Sequence, residues 1–172
     1  MTVVYLSLGS NIERERYIKA ALDALQVAFG PLQVSSVYES EAVGFEGDSF
    51  YNLVVAIETQ LSVGSLSAQL KMIEDKNGRT RLGPKFSGRT LDIDILTYGD
   101  VRGEIDGITL PRDEVTKNAF VLWPLAEIAA QARHSGLNRT FGDLWAAYDK
   151  SSQQLWPVDF DWCGKAISRA KT

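Results

Sequence analysis

The strongest constraint on this chain is the order in which its hydrophobic periodicity changes along the first hundred residues. Residues 2–8, TVVYLSL, are rich in β-branched and aromatic types and predict a strand. Gly9-Ser10-Asn11 breaks it, and Ser10 or Asn11 is expected to cap the helix that follows by accepting a backbone N–H. Over residues 13–29 the apolar side chains Ile18, Ala21, Leu22, Leu25 and Phe29 fall three or four apart, which is one helix face, and Gly30-Pro31 ends it. Residues 32–40 predict a second strand, with Val34, Ser36 and Tyr38 on one face, and residues 50–59, FYNLVVAIET, predict a third. Leu66, Leu70 and Ile73 set the face of a helix over 65–77, terminated by Gly78, and residues 89–98 predict a fourth strand. Strand, helix, strand, strand, helix, strand is the pattern of an α+β sandwich of ferredoxin-like βαββαβ type, with two helices on one face of an antiparallel sheet.

Beyond residue 100 the pattern weakens, and C-terminal additions to this core are expected. They comprise a short strand over 105–110, a stretch from Phe120 that starts extended and passes into a short helix with Pro124 near its first turn, and a helix over 141–148 capped by Thr140. Residues 151–172 read as a tail packed through Trp156 and Trp162, so that residues 1–172 form one domain with its core in 1–150.

The balance of 18 Lys and Arg against 22 Asp and Glu gives a net charge of −4, which argues against a general nucleic-acid binder. No run approaches the roughly 20 apolar residues of a membrane helix, and the N-terminus lacks the basic and apolar regions of a signal peptide. The lone Cys163 excludes an intrachain disulfide and is expected to be inert. A cytoplasmic protein is expected. The lone His134, in A-R-H-S-G, is expected at a turn in a surface or capping role.

Chemistry concentrates in residues 74–98, EDKNGRTRLGPKFSGRTLDIDILTY. On the fourth strand Leu91, Ile93 and Ile95 point one way and Asp92 and Asp94 the other. Two carboxylates about 7 Å apart on one strand face repel unless a cation sits between them. Magnesium suits such a pair, because it takes one or two carboxylates and completes its shell with water and phosphate oxygens. A lone D-x-D is more often a solvated, salt-bridged pair. Here Arg79, Arg81, Lys85 and Arg89 precede it within fifteen residues, on a loop with Gly78, Gly83, Pro84 and Gly88 that is suited to closing over a nucleotide. An acidic, cation-binding pair beside basic groups is what polyphosphate transfer requires.

Glu74, G-R-T-R at 78–81 and G-R-T-L-D-I-D-I-L-T-Y-G at 88–99 resemble the signature of the hydroxymethyl-dihydropterin pyrophosphokinases of folate synthesis. L-S-L-G-S-N at 6–11, S-S-V-Y-E-S at 35–40, F-Y-N at 50–52, L-P at 110–111 and A-F-V-L-W-P-L-A-E-I-A at 119–129 match in the same order, over roughly residues 1–145. The resemblance implies transfer of pyrophosphate from ATP to the hydroxymethyl group of 6-hydroxymethyl-7,8-dihydropterin, with release of AMP. It implies two magnesium ions on Asp92 and Asp94, with Arg79 and Arg89 acting on the triphosphate beside them as catalytic groups. Lys71, Glu74, Arg81, Lys85, Ile95, Thr109 and Arg112 complete the implied ATP site. Ser40, Val43, Phe50, Asn52, Phe86 and Phe120 form the implied pterin site, with Asn52 reading the pterin edge and Phe120 stacking on its ring. The implied partners are these small molecules alone, and the implied state is a monomer. The chain departs from the family pattern at Glu41 (Pro in the family), Phe86 (Trp), Ser87-Gly88 (Gly-Pro), Gly107 (Arg), Arg112 (His) and Asn118 (Arg). Those departures leave two other readings open: a pyrophosphokinase with a different acceptor, and a non-catalytic pterin- or nucleotide-binding paralogue.

Overall fold

A computed structural model describes residues 1–40, 49–78 and 90–170. Strand β1 (Thr2–Ser10) runs two residues further than its composition predicts, because Gly9 and Ser10 still pair with Asn52 and Tyr51. Neither Ser10 nor Asn11 therefore caps helix α1 (Arg14–Phe29). Glu13 takes the cap position in the left-handed region, at φ 42°, without a side-chain cap bond, and Ser10 Oγ donates instead to the Ile12 carbonyl at 3.0 Å. Helix α1 buries the predicted stripe of Ile18, Ala21, Leu22 and Leu25.

The second predicted strand is two pieces, β2 (Gln33–Val34) and β3 (Tyr38–Ser40), both paired with β4 (Phe50–Thr59). Ser35 causes the break. Its hydroxyl accepts from Val54 N at 2.9 Å, while its own N–H donates to the Val54 carbonyl at 2.9 Å, so a side chain replaces one rung of the ladder. Helix α2 (Val63–Lys76) starts two residues early, capped by Ser62, whose hydroxyl accepts from Ser65 N at 3.2 Å.

Strand β5 (Asp92–Tyr98) completes the antiparallel sheet, in the order β3, β4, β1, β5 with β2 also on β4, which is the ferredoxin-like arrangement. Helices α1 and α2 cover one face, over a core that includes Leu6, Leu8, Leu22, Leu53, Leu66 and Leu91. Two helices were expected on one face only. The opposite face is also covered, by α4 (Ala119–Ala129) and α5 (Phe141–Ala147) over Val54 and Leu96, giving three layers. Leu53, Val54 and Val55 are buried in succession, as befits a strand with a layer on each side.

Between β5 and α4 lies a hairpin, β6 (Gly103–Ile105) and β7 (Ile108–Leu110), where one strand was predicted. Asp106 and Gly107 both take positive φ, 52° and 81°, as a two-residue hairpin turn of the Asp-Gly kind demands. A short helix α3 (Glu114–Lys117) follows, and α4 begins directly after the extended Asn118. The extended start predicted for Phe120 is thus helical, and Pro124 sits inside the helix, where it has no N–H to give the Phe120 carbonyl. Thr140 caps α5 as predicted, its hydroxyl accepting from Asp143 N at 3.1 Å. Strands β8 (Arg133–His134) and β9 (Arg139–Thr140) flank a turn in which His134 Nδ1 accepts from Gly136 N and Leu137 N, both at 3.1 Å. His134 is a capping residue there, buried rather than at the surface, and burial lowers the pKa of its imidazole.

Residues 151–170 are not a loose tail. Strand β10 (Leu155–Pro157) adds to the sheet beside β3, and β11 (Phe160–Trp162) pairs with β12 (Lys165–Ser168). Trp156 and Trp162 are anchors as expected, through hydrogen bonds: Trp156 Nε1 donates to Glu39 at 3.0 Å and Trp162 Nε1 to Asp23 at 2.9 Å. Cys163 is exposed and free in the β11–β12 turn. Among the described residues, no helix is long and apolar enough to cross a membrane.

Candidate active site

Alternation along β5 does what the sequence predicts. Ile93 and Ile95 are buried in the α1/α2 core, while Asp92 and Asp94 are half-buried on the other side. Because β5 is the last strand of the sheet, its outer N–H groups need partners from elsewhere. Glu74 on α2, itself buried, supplies one: its Oε2 accepts from Ile93 N at 2.7 Å. Its neighbours at helical spacing, Ser67, Leu70 and Lys71, join Asp92, Asp94, Ile95, Ile108 and Arg112 around a cleft of about 230 Å³. Lys71, Glu74, Ile95, Arg112 and both aspartates are thereby brought together. Thr109, also predicted for this site, is exposed on β7 and is not among the lining residues.

A bulge places Arg112. Opposite β1, Ile95 pairs with Leu6 and Thr97 with Tyr5, so Leu96 is an extra residue. Its carbonyl accepts from Arg112 N at 2.8 Å. The guanidinium then lies 3.7 Å from Asp94 Oδ1 and 3.2 Å from Glu114 Oε1. Burial, and next the charge of Asp92, push the Asp94 carboxyl up to about 7; Glu114 and Glu74 add to the rise, and Arg112 opposes it. Arg112 is held more firmly protonated by Asp94 and Glu114, although burial works against its charge. Among the described residues no three His, Cys, Asp or Glu side chains gather into a metal cage. A strained pair of hard oxygen donors facing a cleft with two cationic side chains instead fits an ion that arrives with phosphate and water as its other ligands.

Of the residues predicted for the acceptor site, Asn52 lies on the same face of the sheet, two strands away. Asn52, Gly9 and Asp92 stand in one row across β4, β1 and β5, so about 10 Å separates Asn52 from Asp92. Ser40 and Phe50 are paired with each other, and Asn52 Nδ2 donates to Ser40 Oγ at 2.9 Å. A Cβ on Gly9 would stand 3.0 Å from Asn52 Oδ1, so only glycine leaves Asn52 this room. Phe120 comes from α4, which packs on the same face, and is partly buried against that layer. Flat aromatic walls and an amide edge suit a flat heterocycle with its own donors and acceptors.

The predicted residues Val43, Arg79, Arg81, Lys85, Phe86 and Arg89, and the departure at Glu41, lie outside the described residues. Four lining residues, Ser67, Leu70, Ile93 and Ile108, were not foreseen. Ser67 and Leu70 lie seven and four positions before Glu74, and a helical stripe drawn back from that residue finds them. Ile108 depends on the hairpin fold and has no local signal.

The 7,8-dihydro-6-hydroxymethylpterin-pyrophosphokinase family model matches residues 5–130. A 2-amino-4-hydroxy-6-hydroxymethyldihydropteridine pyrophosphokinase of Bacillus subtilis is 38% identical over 133 residues, covering 75% of this chain and 79% of its own length. Its namesake in Aquifex aeolicus is 36% identical over 136 residues, covering 78% and 84%. A crystal structure of Plasmodium falciparum HPPK-DHPS with pteroate superposes with a TM-score of 0.67 over 86% of this chain. At 17% identity, and with 42% of that chain covered, it is similar in fold.

Proposed function

The chain belongs to the 7,8-dihydro-6-hydroxymethylpterin-pyrophosphokinase family, and we propose that it carries out that family's reaction across the row Asn52–Gly9–Asp92. It is an ATP-using pyrophosphokinase of folate synthesis. Pyrophosphate passes from ATP to the hydroxymethyl oxygen of 6-hydroxymethyl-7,8-dihydropterin, so a new bond forms to the β-phosphorus and the bond to the α-phosphate oxygen breaks, releasing AMP. The observation that carries the assignment is the row Asn52–Gly9–Asp92, which sets the aspartates of the cleft and the Asn52 amide on one face of the sheet, about 10 Å apart. An aspartate pair and Asn52 kept together on one face favour catalysis over a non-catalytic paralogue.

Asp92 and Asp94 would hold magnesium, two ions in this reading, whose charge offsets that of the polyphosphate. Lys71 and Arg112 line the same cleft and supply N–H donors to phosphate oxygens. Arg112 stands where relatives carry His, and its backbone bond to the Leu96 bulge directs a permanent cation at this end of the site. Ile95, Ile108 and Leu70 offer apolar contact to the rest of the nucleotide. Arg79, Arg81, Lys85 and Arg89 are proposed for the triphosphate, with Arg79 and Arg89 catalytic. Phe86 and Val43 are proposed to complete the pterin site. There Asn52 orients the heterocycle and Phe50 and Phe120 flank it. Catalysis would then rest on positioning and charge, as phosphoryl transfers generally do. A monomer working in the cytoplasm completes the proposal.

Incubation with ATP, magnesium and the dihydropterin should release AMP, and Asp94→Asn should slow this by at least about a hundredfold, the scale of losing one electrostatic contact to the reacting group. Isothermal titration with magnesium and a non-hydrolysable ATP analogue should show tight binding to the unaltered protein and weak binding to Asp94→Asn. Equal binding by the two proteins would remove Asp94 from the metal assignment.

A further inference from the structure

We infer that residues 148–157 form a strap that sets the width of the pterin pocket, with Gln153 and Trp156 as its positioning residues. The inference rests on the pocket proposed above, and the strap lies beyond the 5–130 region that the family model matches.

One end of the strap holds the helix that carries Phe120. Gln153 Oε1 accepts from Ala119 N at 2.7 Å, in the first turn of α4, and Gln153 Nε2 donates to Asn118 Oδ1 at 3.0 Å. The Tyr148 hydroxyl donates to the Lys117 carbonyl at 2.8 Å. Asn118 stands where relatives carry an arginine, and here its amide oxygen is engaged by the strap.

The other end holds β3, the strand paired with the one that carries Phe50. Leu155 pairs with Ser40 in β10, and Trp156 Nε1 donates to Glu39 Oε1 at 3.0 Å. The second oxygen of Glu39 accepts from Arg14 at 2.6 Å and from Ser49 Oγ at 2.7 Å. Arg14 also donates to the Ser49 carbonyl at 3.1 Å and lies 4.0 Å above the Tyr51 ring. Ser49 and Tyr51 flank Phe50, so Trp156 completes a polar cluster that fixes both neighbours of that ring.

Phe50 and Phe120 belong to different layers, the sheet and the helices above it. A flat ring held between two layers is sensitive to their spacing, since a gap of roughly 0.5–1 Å forfeits about a quarter to a half of the contact energy. Gln153 holds the start of the helix that carries Phe120, and Trp156, three residues on in the same short segment, holds β3 beside the strand that carries Phe50.

The test compares equilibrium binding of the dihydropterin, KM for each substrate, kcat and Tm across five variants of the full chain. Gln153→Ala and Trp156→Phe should each weaken pterin binding by roughly three- to tenfold, the net worth of one hydrogen bond, and raise KM for the pterin alike, with kcat and KM for ATP unchanged. Gln153→Glu keeps the acceptor for Ala119 N but loses the donor that Asn118 Oδ1 accepts, and should recover part, not all, of the pterin affinity lost in Gln153→Ala. Trp162→Phe removes a comparable Trp–carboxylate bond from the same C-terminal region, away from the pocket, and should leave pterin affinity unchanged. Unaltered pterin affinity in both Gln153→Ala and Trp156→Phe overturns the strap, and so does an equal loss in Trp162→Phe. Asn52→Ala separates the two levels of the reading: it should abolish pterin binding, and if binding survives, the pocket assignment falls and the strap with it.

Discussion

Position 9 decides whether the two halves of the site can share one face. Gly9 separates Asn52 from Asp92 in the row, and a methyl group there would stand 3.0 Å from the Asn52 amide oxygen. Asn52 cannot yield freely, because Ser40 holds its amide nitrogen. Gly9→Ala should therefore lower pterin affinity by about three- to tenfold and leave ATP affinity unchanged, as measured by titrating each ligand separately. Asp94 sets a second expectation. Its carboxyl titrates near 7 in the folded chain against 3.8 ordinarily, so the folded state binds the proton more tightly. Stability of the metal-free protein from this group is then fully present below about pH 4 and is lost as pH rises to about 7. Asp94→Asn removes that loss. Melting curves in the presence of a chelator should show its Tm above the unaltered protein's by a few degrees at pH 8, with the two nearly equal at pH 4. The aspartate pair was legible in the sequence because strand alternation assigns its face, whereas Asn52 was marked only by the family resemblance. The placement of Arg112 was not: it depends on the Leu96 bulge, which exists only once β5 is in register with β1.

Elements, rather than single side chains, form the cleft proposed for the nucleotide, and the β6–β7 hairpin is its least foreseeable wall. The hairpin is pinned to α2 at one point, where the Asp106 carboxylate accepts from Gly64 N at 2.9 Å. That N–H is one of the unsatisfied donors of the first helical turn, and a carboxylate there also meets the positive end of the helix dipole. Asp106→Ala should cost about 1 kcal/mol of stability, read by chemical denaturation. It should also raise KM for ATP more than KM for the pterin, because Ile108 moves with the hairpin. At this scale the long elements were readable. Helix α1, helix α2 and strand β4 carry enough periodic residues for pattern to outweigh context. The short ones were not. The break between β2 and β3 turns on one serine hydroxyl, and the helical start of α4 turns on a glutamine more than thirty positions away.

The whole molecule is a three-layer sandwich whose second helical layer was hidden in the sequence. Residues 119–129 are apolar nearly all round, so their period says little about which face is buried. The segment after residue 150 was harder still, for Ser, Gln and Trp in mixture have no period, and β10 becomes a strand only because β3 offers it an edge. Closing that edge leaves two rims to the sheet. The β10 rim is three residues long and ends in Pro157, which has no N–H to offer a stranger. The β5 rim is seven residues long and rich in Ile, Leu and Tyr, which is the composition of a strand that recruits further strands and aggregates. What guards it is the acid of the candidate cleft, with Asp92 and Asp94 along the strand and Glu74 on the outward N–H of Ile93. The carboxylates proposed for chemistry thus also charge the open edge of the sheet, and a variant with Asp92 and Asp94 both replaced by Ala should aggregate more readily, as read by light scattering.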